Sequence, residues 1–414
     1  MRLADVPLIL VLLGLVAYMV LGGADFGTGV WELAAHGRRG EHIRDRIHDA
    51  MGPVWEANHV WLIFVLVITW TAYPTAFASI VTTLSVPFFI AAVGIILRGS
   101  SYALRAAART PRERDVLDDV FAVSSILTPF ALGAIVGAIA AGRVPVGNAA
   151  GDLLGSWLTP TSLVVGAIAV AAAAHLAAVY LSADAARAND ASMVAAFGGR
   201  ALLSGVVAGA LAIAGLVIVH ADAPRLFDRL VSGPGLIAVV VSGAAGVVTL
   251  LLIATGRSHL ARYTAAAAVA AVIAGWGAAQ QPDILPGLTV QAAAAGDGTL
   301  VAVIVAVGIG AVVLVPSLVL LFSLYLHGRF DLPPEGGTSA VHGARAGRAA
   351  TSWAPLLALA VAGTALTVID ATPWMVPVGV AGLVLFVAMS FVVLASGDLE
   401  AGDHAGAEPG APRR

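Results

Sequence analysis

The sequence contains no cysteine and no lysine, and charge of either sign is scarce: 11 % of its 414 residues are charged. Without cysteine there is no disulfide, no iron–sulfur cluster, no thiolate-bound haem and no cysteine nucleophile. The absence says little about redox compartment. A formal net charge of −3 and the lack of any basic stripe leave nucleic acid without an electrostatic footprint to bind. All 22 basic residues are arginine, a compositional habit that carries no functional argument. Metal-ligand spacing, a phosphate-cradling glycine loop and a nucleophile constellation are also missing from the pattern of residues.

What the sequence has in excess is apolar surface, at 59 % hydrophobic residues. A soluble domain of this length cannot hide that much, so the composition is that of an integral membrane protein. The apolar runs are continuous rather than alternating, which is the pattern of helices and not of a barrel. About 20 apolar residues cross the hydrocarbon core. That ruler predicts eleven spans, near 7–28, 55–73, 77–97, 116–142, 161–183, 199–219, 235–255, 263–280, 298–326, 353–370 and 374–396. The first run lacks a small-residue cleavage pattern and reads as a retained span.

Arginine placement orients this series. With the N-terminus outside, eighteen of the 22 arginines fall in inside segments, among them Arg38, Arg39, Arg44, Arg46 and the run from Arg98 to Arg114. The expected topology is therefore N-out, C-in. Residues 336–352 read as a polar cytoplasmic linker and 398–414 as a disordered tail. No internal repeat marks an inverted-repeat transporter.

In this orientation "MGPVWEANHVWLIFVLV" (51–67) opens span two at the cytoplasmic face and carries Glu56, Asn58 and His59 between Trp55 and Trp61. Asp25 lies near the same end of span one, and Arg98 closes span three there. Glu56 and His59 stand at i and i+3 and share a helix face. Each residue has a bland reading: Asp25 snorkelling to headgroups, His59 packing, Arg98 as a positive-inside anchor, the tryptophans as an interfacial belt. Together, two acids, an imidazole and an arginine at one level point to proton handling or to a structural ion-pair network, because charge in a span is costly. His175 is the other clearly intramembrane imidazole. His59 and His175 lie at different depths and make a poor bis-histidine haem pair.

"GPVWEANHVWLI" resembles the signature of subunit II of cytochrome bd quinol oxidase, usually GP-x-W-D-G-N-E/Q-V-W-L-I. "GGADFGTGVW" (22–31), "FFIAAVGIILRGSSYALR" (88–105) and "WLTPTSLVVGAIAVAAAAHLAAVYL" (157–181) are similar to that family's segments in spans one, three and five, in family order. The resemblance covers roughly residues 5–335. It implies an all-α fold of nine family-type transmembrane helices, two four-helix bundles plus a peripheral helix, within 1–335. Residues 353–397 are then two extra C-terminal spans.

The resemblance also implies a function. The family's oxidase passes electrons from membrane quinol to dioxygen, without pumping, in the prokaryotic cell membrane. Two b-type haems and one d-type haem belong to the partner subunit I, and subunit II binds none and has no catalytic residue of its own. It supports the haem subunit and lines a proton route from the cytoplasm. Some members add an oxygen path, a structural quinone or a small single-span accessory subunit. Carried over by position, Glu56 is the proposed relay carboxylate, Asp25, Asn58 and Arg98 line the same route, and Trp61 stands near an oxygen entrance. Gly22 takes the place of a usual acid, Ala57 of a glycine and His59 of Glu or Gln. His59, with an unperturbed pKa near 6.5, is a candidate for the missing exchange capacity. A transporter, or a scaffold of the same fold without the proton route, are the competing classes.

Overall fold

The computed structural model describes residues 2–35, 44, 54–105 and 107–326, with single positions at 362, 378, 382 and 385. The predicted spans 353–370 and 374–396, the linker 336–352 and the tail 398–414 lie essentially outside the described residues. The chain divides into two compact units, Met1–Ala306 and Val307–Arg414. The described helices and strands belong to the first unit, except for the C-terminal part of the last helix.

The first span is a continuous helical rod in three pieces: α1 (Asp5–Ala17), a π-helical turn (Tyr18–Gly22) and α2 (Gly23–Leu33). Next come α3 (Val54–Ala72), α4 (Pro74–Thr83), α5 (Ser85–Arg105), α6 (Pro111–Ala140), α7 (Pro160–Arg187) and α8 (Ala191–Asp222). A short α9 (Pro224–Leu230) leads to α10 (Gly233–Ala254) and α11 (Ser258–Gln280). A small hairpin, β1 (Asp283–Leu285) and β2 (Leu288–Thr289), and the turn α12 (Val290–Ala293) precede α13 (Asp297–Leu326). Among the described residues eight helices are long and apolar enough to cross a membrane, and the α3 segment Asn58–Ala72 is a shorter apolar helix. These overlap the first nine predicted spans.

Local chemistry explains the helix starts. Thr110 and Glu113 form a capping box ahead of α6: the Thr110 hydroxyl accepts from the Glu113 N–H, and the Glu113 carboxylate accepts from the Thr110 N–H, both at 3.2 Å. Thr159 and Asp190 cap α7 and α8, and Pro111 and Pro160 occupy early helical positions where no N–H is needed. In the loop before α7, the N–H groups of Leu154 and Gly155 donate to Asp152 and hold its carboxyl below the usual carboxylate range.

The predicted third span, 77–97, differs. The chain breaks at Leu84, and the helix restarts at Ser85 and runs on to Arg105. Pro87 explains the break, since its ring clashes with a helical carbonyl four residues earlier. Pro129 and Pro316, by contrast, sit inside continuous helices α6 and α13.

Helices α1–α2, α3, α5 and α6 pack as one group, and α7, α8, α10 and α11 as another, joined where α7 lies against α2 and α6. Small residues let the backbones approach. A Cβ built on Gly27 of α2 falls 1.9 Å from the Ala173 carbonyl oxygen of α7, and one built on Gly29 falls 2.4 Å from Ser125 Cβ of α6. The Trp31 indole N–H donates to the Ala174 carbonyl at 2.8 Å across the same seam. The outer faces of α8 and α10, with Leu203, Val206, Ile213, Val217, Ile237, Val240 and Leu251 exposed, are apolar throughout. That is what a surface in contact with lipid or another membrane chain requires.

Candidate functional site

The first group of helices encloses a polar centre. Arg98 lies in the C-terminal half of α5 and is 1 % exposed. Its Nε donates to Ser125 Oγ of α6 at 3.0 Å, and an Nη donates to the Asp25 backbone carbonyl of α2 at 2.8 Å. The guanidinium lies over two rings, Phe26 of α2 at 4.8 Å and Phe121 of α6 at 4.9 Å. Planar, weakly hydrated and rich in donors, a guanidinium is the cation suited to such a place. Reading Arg98 as a residue that closes span three, or as a headgroup anchor, is therefore corrected: it ties three helices together from within.

Asp25 is half-buried, and one of its carboxylate oxygens accepts a hydrogen bond from the Asn58 side-chain amide of α3. The Thr28 hydroxyl donates to the Asp25 carbonyl at 2.6 Å. His59 stacks on Phe26 with ring centres 5.8 Å apart and meets the Tyr18 ring edge-on at 6.2 Å. So the structure brings Asp25, Asn58, His59 and Arg98 into one neighbourhood, linked by Phe26. Trp61, two residues beyond His59 on α3, meets Phe64 edge-on at 6.2 Å. Glu56 belongs to the first turn of α3, and its side chain is outside what the structure describes.

The region around Gly22 is informative. A Cβ there would lie 3.3 Å from the Tyr18 ring and 3.5 Å from Asn58 Cβ. The ring of Tyr18, from the start of the π-turn, fills the space that a side chain at position 22 would use. Its hydroxyl is buried and has no hydrogen-bond partner among the described residues. π-turns of this kind recur at functional sites because they reset the face a helix presents.

His175 behaves differently. Its Nδ1 lies 3.0 Å from the Ala201 carbonyl, so that nitrogen carries the proton and donates. The ring presses on α8 so closely that a Cβ on Gly205 would lie 2.8 Å from Cε1. Among the described residues no group of three or more His, Cys, Asp or Glu could hold a metal ion.

The sequence matches the profile of the family described as cytochrome bd terminal oxidase subunit II over residues 3–325. The chain belongs to that family. It is 30 % identical over 134 residues to cytochrome bd ubiquinol oxidase subunit 2 of Bacillus subtilis (strain 168), an alignment covering 32 % of this chain and 39 % of the relative. The match thus spans about two fifths of that curated relative's length. The structure of bd oxidase from Geobacillus thermodenitrificans contains a chain similar to this one, with a TM-score of 0.63 and 25 % identity, covering 80 % of this chain and 100 % of that chain.

For a cytochrome bd subunit II, the polar centre extends beyond the motif residues. Glu32, one residue from the end of α2, is 2 % exposed and lies within electrostatic reach of Arg44, Arg98, Arg105 and Asp118. Arg105 Nε and Asp118 Oδ1 form an ion pair at 2.6 Å. The sequence reading does not single out Glu32, which lies beyond the apolar run that stops near residue 28. The legible signal was its spacing, two helical turns beyond Asp25 on the same face.

Proposed function

We propose that this chain is the haem-free subunit II of a quinol:oxygen oxidoreductase, that it stabilises a haem-bearing subunit I, and that it conducts protons from the cytoplasm toward it. The observation that carries the reading is the hydrogen-bonded set Asp25, Asn58, Arg98 and Ser125, drawn from α2, α3, α5 and α6, in a chain of this family. Polar groups of this kind inside a membrane bundle are costly and mark ion pathways.

The haems, in the partner subunit, supply electron transfer and oxygen reduction when bound. This chain's own imidazoles fit haem poorly: His59 is packed on Phe26 and Tyr18, and His175 is wedged against α8. What this chain supplies is proton handling. Arg98 fixes a permanent positive charge at the centre, Asn58 orients the Asp25 carboxylate, and Asp25 takes up and gives back a proton at Oδ. Glu56 is the relay carboxylate at the start of α3, and His59 adds a second exchangeable group beside it. Trp61 borders an oxygen entrance. The chain is oriented N-out, as the arginine distribution supports, so the proton side is cytoplasmic. Quinol and dioxygen are substrates of the whole complex, and a structural quinone and a small single-span subunit are further components of it.

Purification of the tagged chain from a membrane that also expresses its neighbouring genes tests this. Co-purifying b- and d-type haem bands with quinol-driven oxygen uptake is the expected result. A colourless preparation with no second large subunit would refute it and favour a transporter or a scaffold.

A further inference from the structure

The first span carries a buried hydroxyl that the packing alone does not explain. Tyr18 is 8 % exposed, and its hydroxyl has no hydrogen-bond partner among the described residues. Buried polar groups in folded proteins are paired, with protein or with water, because desolvating one without a partner is costly. The helix bundle itself does not need this oxygen. The Tyr18 ring meets Phe26 edge-on at 6.3 Å and His59 edge-on at 6.2 Å, contacts that a phenylalanine ring would make as well.

The place of the ring supplies a reason for the hydroxyl. The Tyr18 carbonyl accepts from the Gly23 N–H five residues on, and this wide turn carries the ring beside Gly22. The Tyr180 hydroxyl of α7 donates to the Val20 carbonyl at 3.3 Å and braces the turn. A Cβ built on Gly22 falls 3.3 Å from the edge of the Tyr18 ring and 3.5 Å from Asn58 Cβ, so the ring and Asn58 flank one small space. Asn58 in turn donates to the Asp25 carboxylate. Phe26, which the Tyr18 ring touches, carries the Arg98 guanidinium at 4.8 Å. Tyr18 therefore borders the polar centre on three sides, at Phe26, His59 and Asn58. It precedes Asp25 by seven residues, about 10 Å along the helix axis and away from the end of α2 assigned to the cytoplasm.

We infer that Tyr18 is a further relay residue of the proton route, its hydroxyl passing protons from the Asp25 side toward the middle of the membrane. This deepens the function proposed above and rests on it. A phenol suits the task because it donates one hydrogen bond and accepts others at the same oxygen. A buried water needs two to four polar partners to be held, and the Tyr18 hydroxyl and the Asp25–Asn58 pair are such partners. The phenol oxygen accepts from water on the Asp25 side while its O–H donates to water on the far side. A proton that leaves the Asp25 carboxyl group crosses this file by successive transfers. Each oxygen gains one hydrogen as it gives up another, so Tyr18 is neutral before and after, and Asp25 is left as the carboxylate.

The test uses the complete complex with its haem-bearing partner, carrying Tyr18→Phe, Asp25→Asn, or a ring-fluorinated tyrosine at position 18. Haem content, thermal unfolding, quinol-driven oxygen uptake and the solvent hydrogen/deuterium isotope effect are measured. Tyr18→Phe is expected to keep its haems and its melting temperature and to lose about tenfold in turnover, the equivalent of one hydrogen bond in the rate-limiting step, with a larger isotope effect. Fluorination keeps the ring and the hydroxyl but makes the phenol more acidic. It is expected to change turnover and isotope effect while haem content and melting stay as in the wild type. Wild-type turnover and isotope effect in Tyr18→Phe, beside an impaired Asp25→Asn, would overturn the role of Tyr18 alone. A Tyr18→Phe complex that loses haem or melts early, with a wild-type rate and isotope effect in the fluorinated complex, would make the hydroxyl structural and overturn it too. Wild-type turnover in Asp25→Asn would overturn the proton route on which the inference rests. A wild-type complex without haem or quinol-driven uptake would overturn the oxidase reading and this inference with it.

Discussion

Replacing Gly27 by alanine asks the most direct question of the packing around the polar centre. The added Cβ would lie 1.9 Å from the Ala173 carbonyl oxygen and 2.3 Å from its carbon, where ordinary contact begins at 3.4 Å. Backbone cannot swing aside as a flexible side chain does, so α2 and α7 must part by about 1.5 Å at this point. Overpacking of this sort costs about 1–3 kcal/mol. One turn away, Trp31 would lose its 2.8 Å bond to the Ala174 carbonyl, which adds about 1 kcal/mol. Alanine's better helix propensity returns at most about 1 kcal/mol. The net is a loss of about 1–3 kcal/mol, a fall in melting temperature on the order of 5 °C. The assay is thermal unfolding of the purified complex in detergent, with Gly209→Ala and Gly243→Ala as controls, since a Cβ at either meets nothing within 4 Å. A Gly27→Ala complex that melts with the controls would refute the reasoning that α2 and α7 are in backbone contact.

Arg98→Gln should lower stability by about 3 kcal/mol or more, because Ser125 and the Asp25 carbonyl lose their donor and two rings lose their cation; recovery of intact haem-bearing complex measures it, and wild-type recovery would sink the claim. Trp31→Phe keeps an aromatic ring and removes the indole N–H, so it should cost about 1 kcal/mol in thermal unfolding and leave turnover unchanged. His59→Gln should reduce oxidase turnover between about pH 6 and 8, the range in which an imidazole exchanges protons; full activity throughout that range would make His59 a packing residue on Phe26 and Tyr18.

The first nine spans were legible because length and hydropathy decide them, and capping residues such as Thr110 and Asp190 mark where helices begin. The centre was legible in part. Asp25, Asn58 and Arg98 stand out as polar residues in apolar runs, but charge was taken as the end of a span, and that rule misplaced Arg98, while Glu32, past the end of the apolar run, was not singled out. Both are inside helices, compensated by partners distant in sequence: Ser125 and Phe121 for Arg98, Arg105 and Asp118 near Glu32. No window along one helix contains such partners. The break at Leu84 and the unbroken helices at Pro129 and Pro316 show the same limit. Proline removes one hydrogen bond in every case, and position in the bundle decides whether the helix continues.

Close packing and polar content are coupled here. Gly27 and Gly29 bring α2 against α7 and α6, which excludes lipid from the face that carries Asp25, Thr28 and Glu32. Among the described residues, Asp25 then meets Asn58 and Arg98 from neighbouring helices. A looser seam would admit acyl chains and leave buried carboxylates without compensation, at several kcal/mol each. A change that parts α2 from α7 should therefore disturb proton uptake as well as stability. In Gly27→Ala complexes that still hold haem, the turnover lost should carry a raised solvent isotope effect. A stability loss with an unchanged isotope effect would separate the glycine seam from the polar centre.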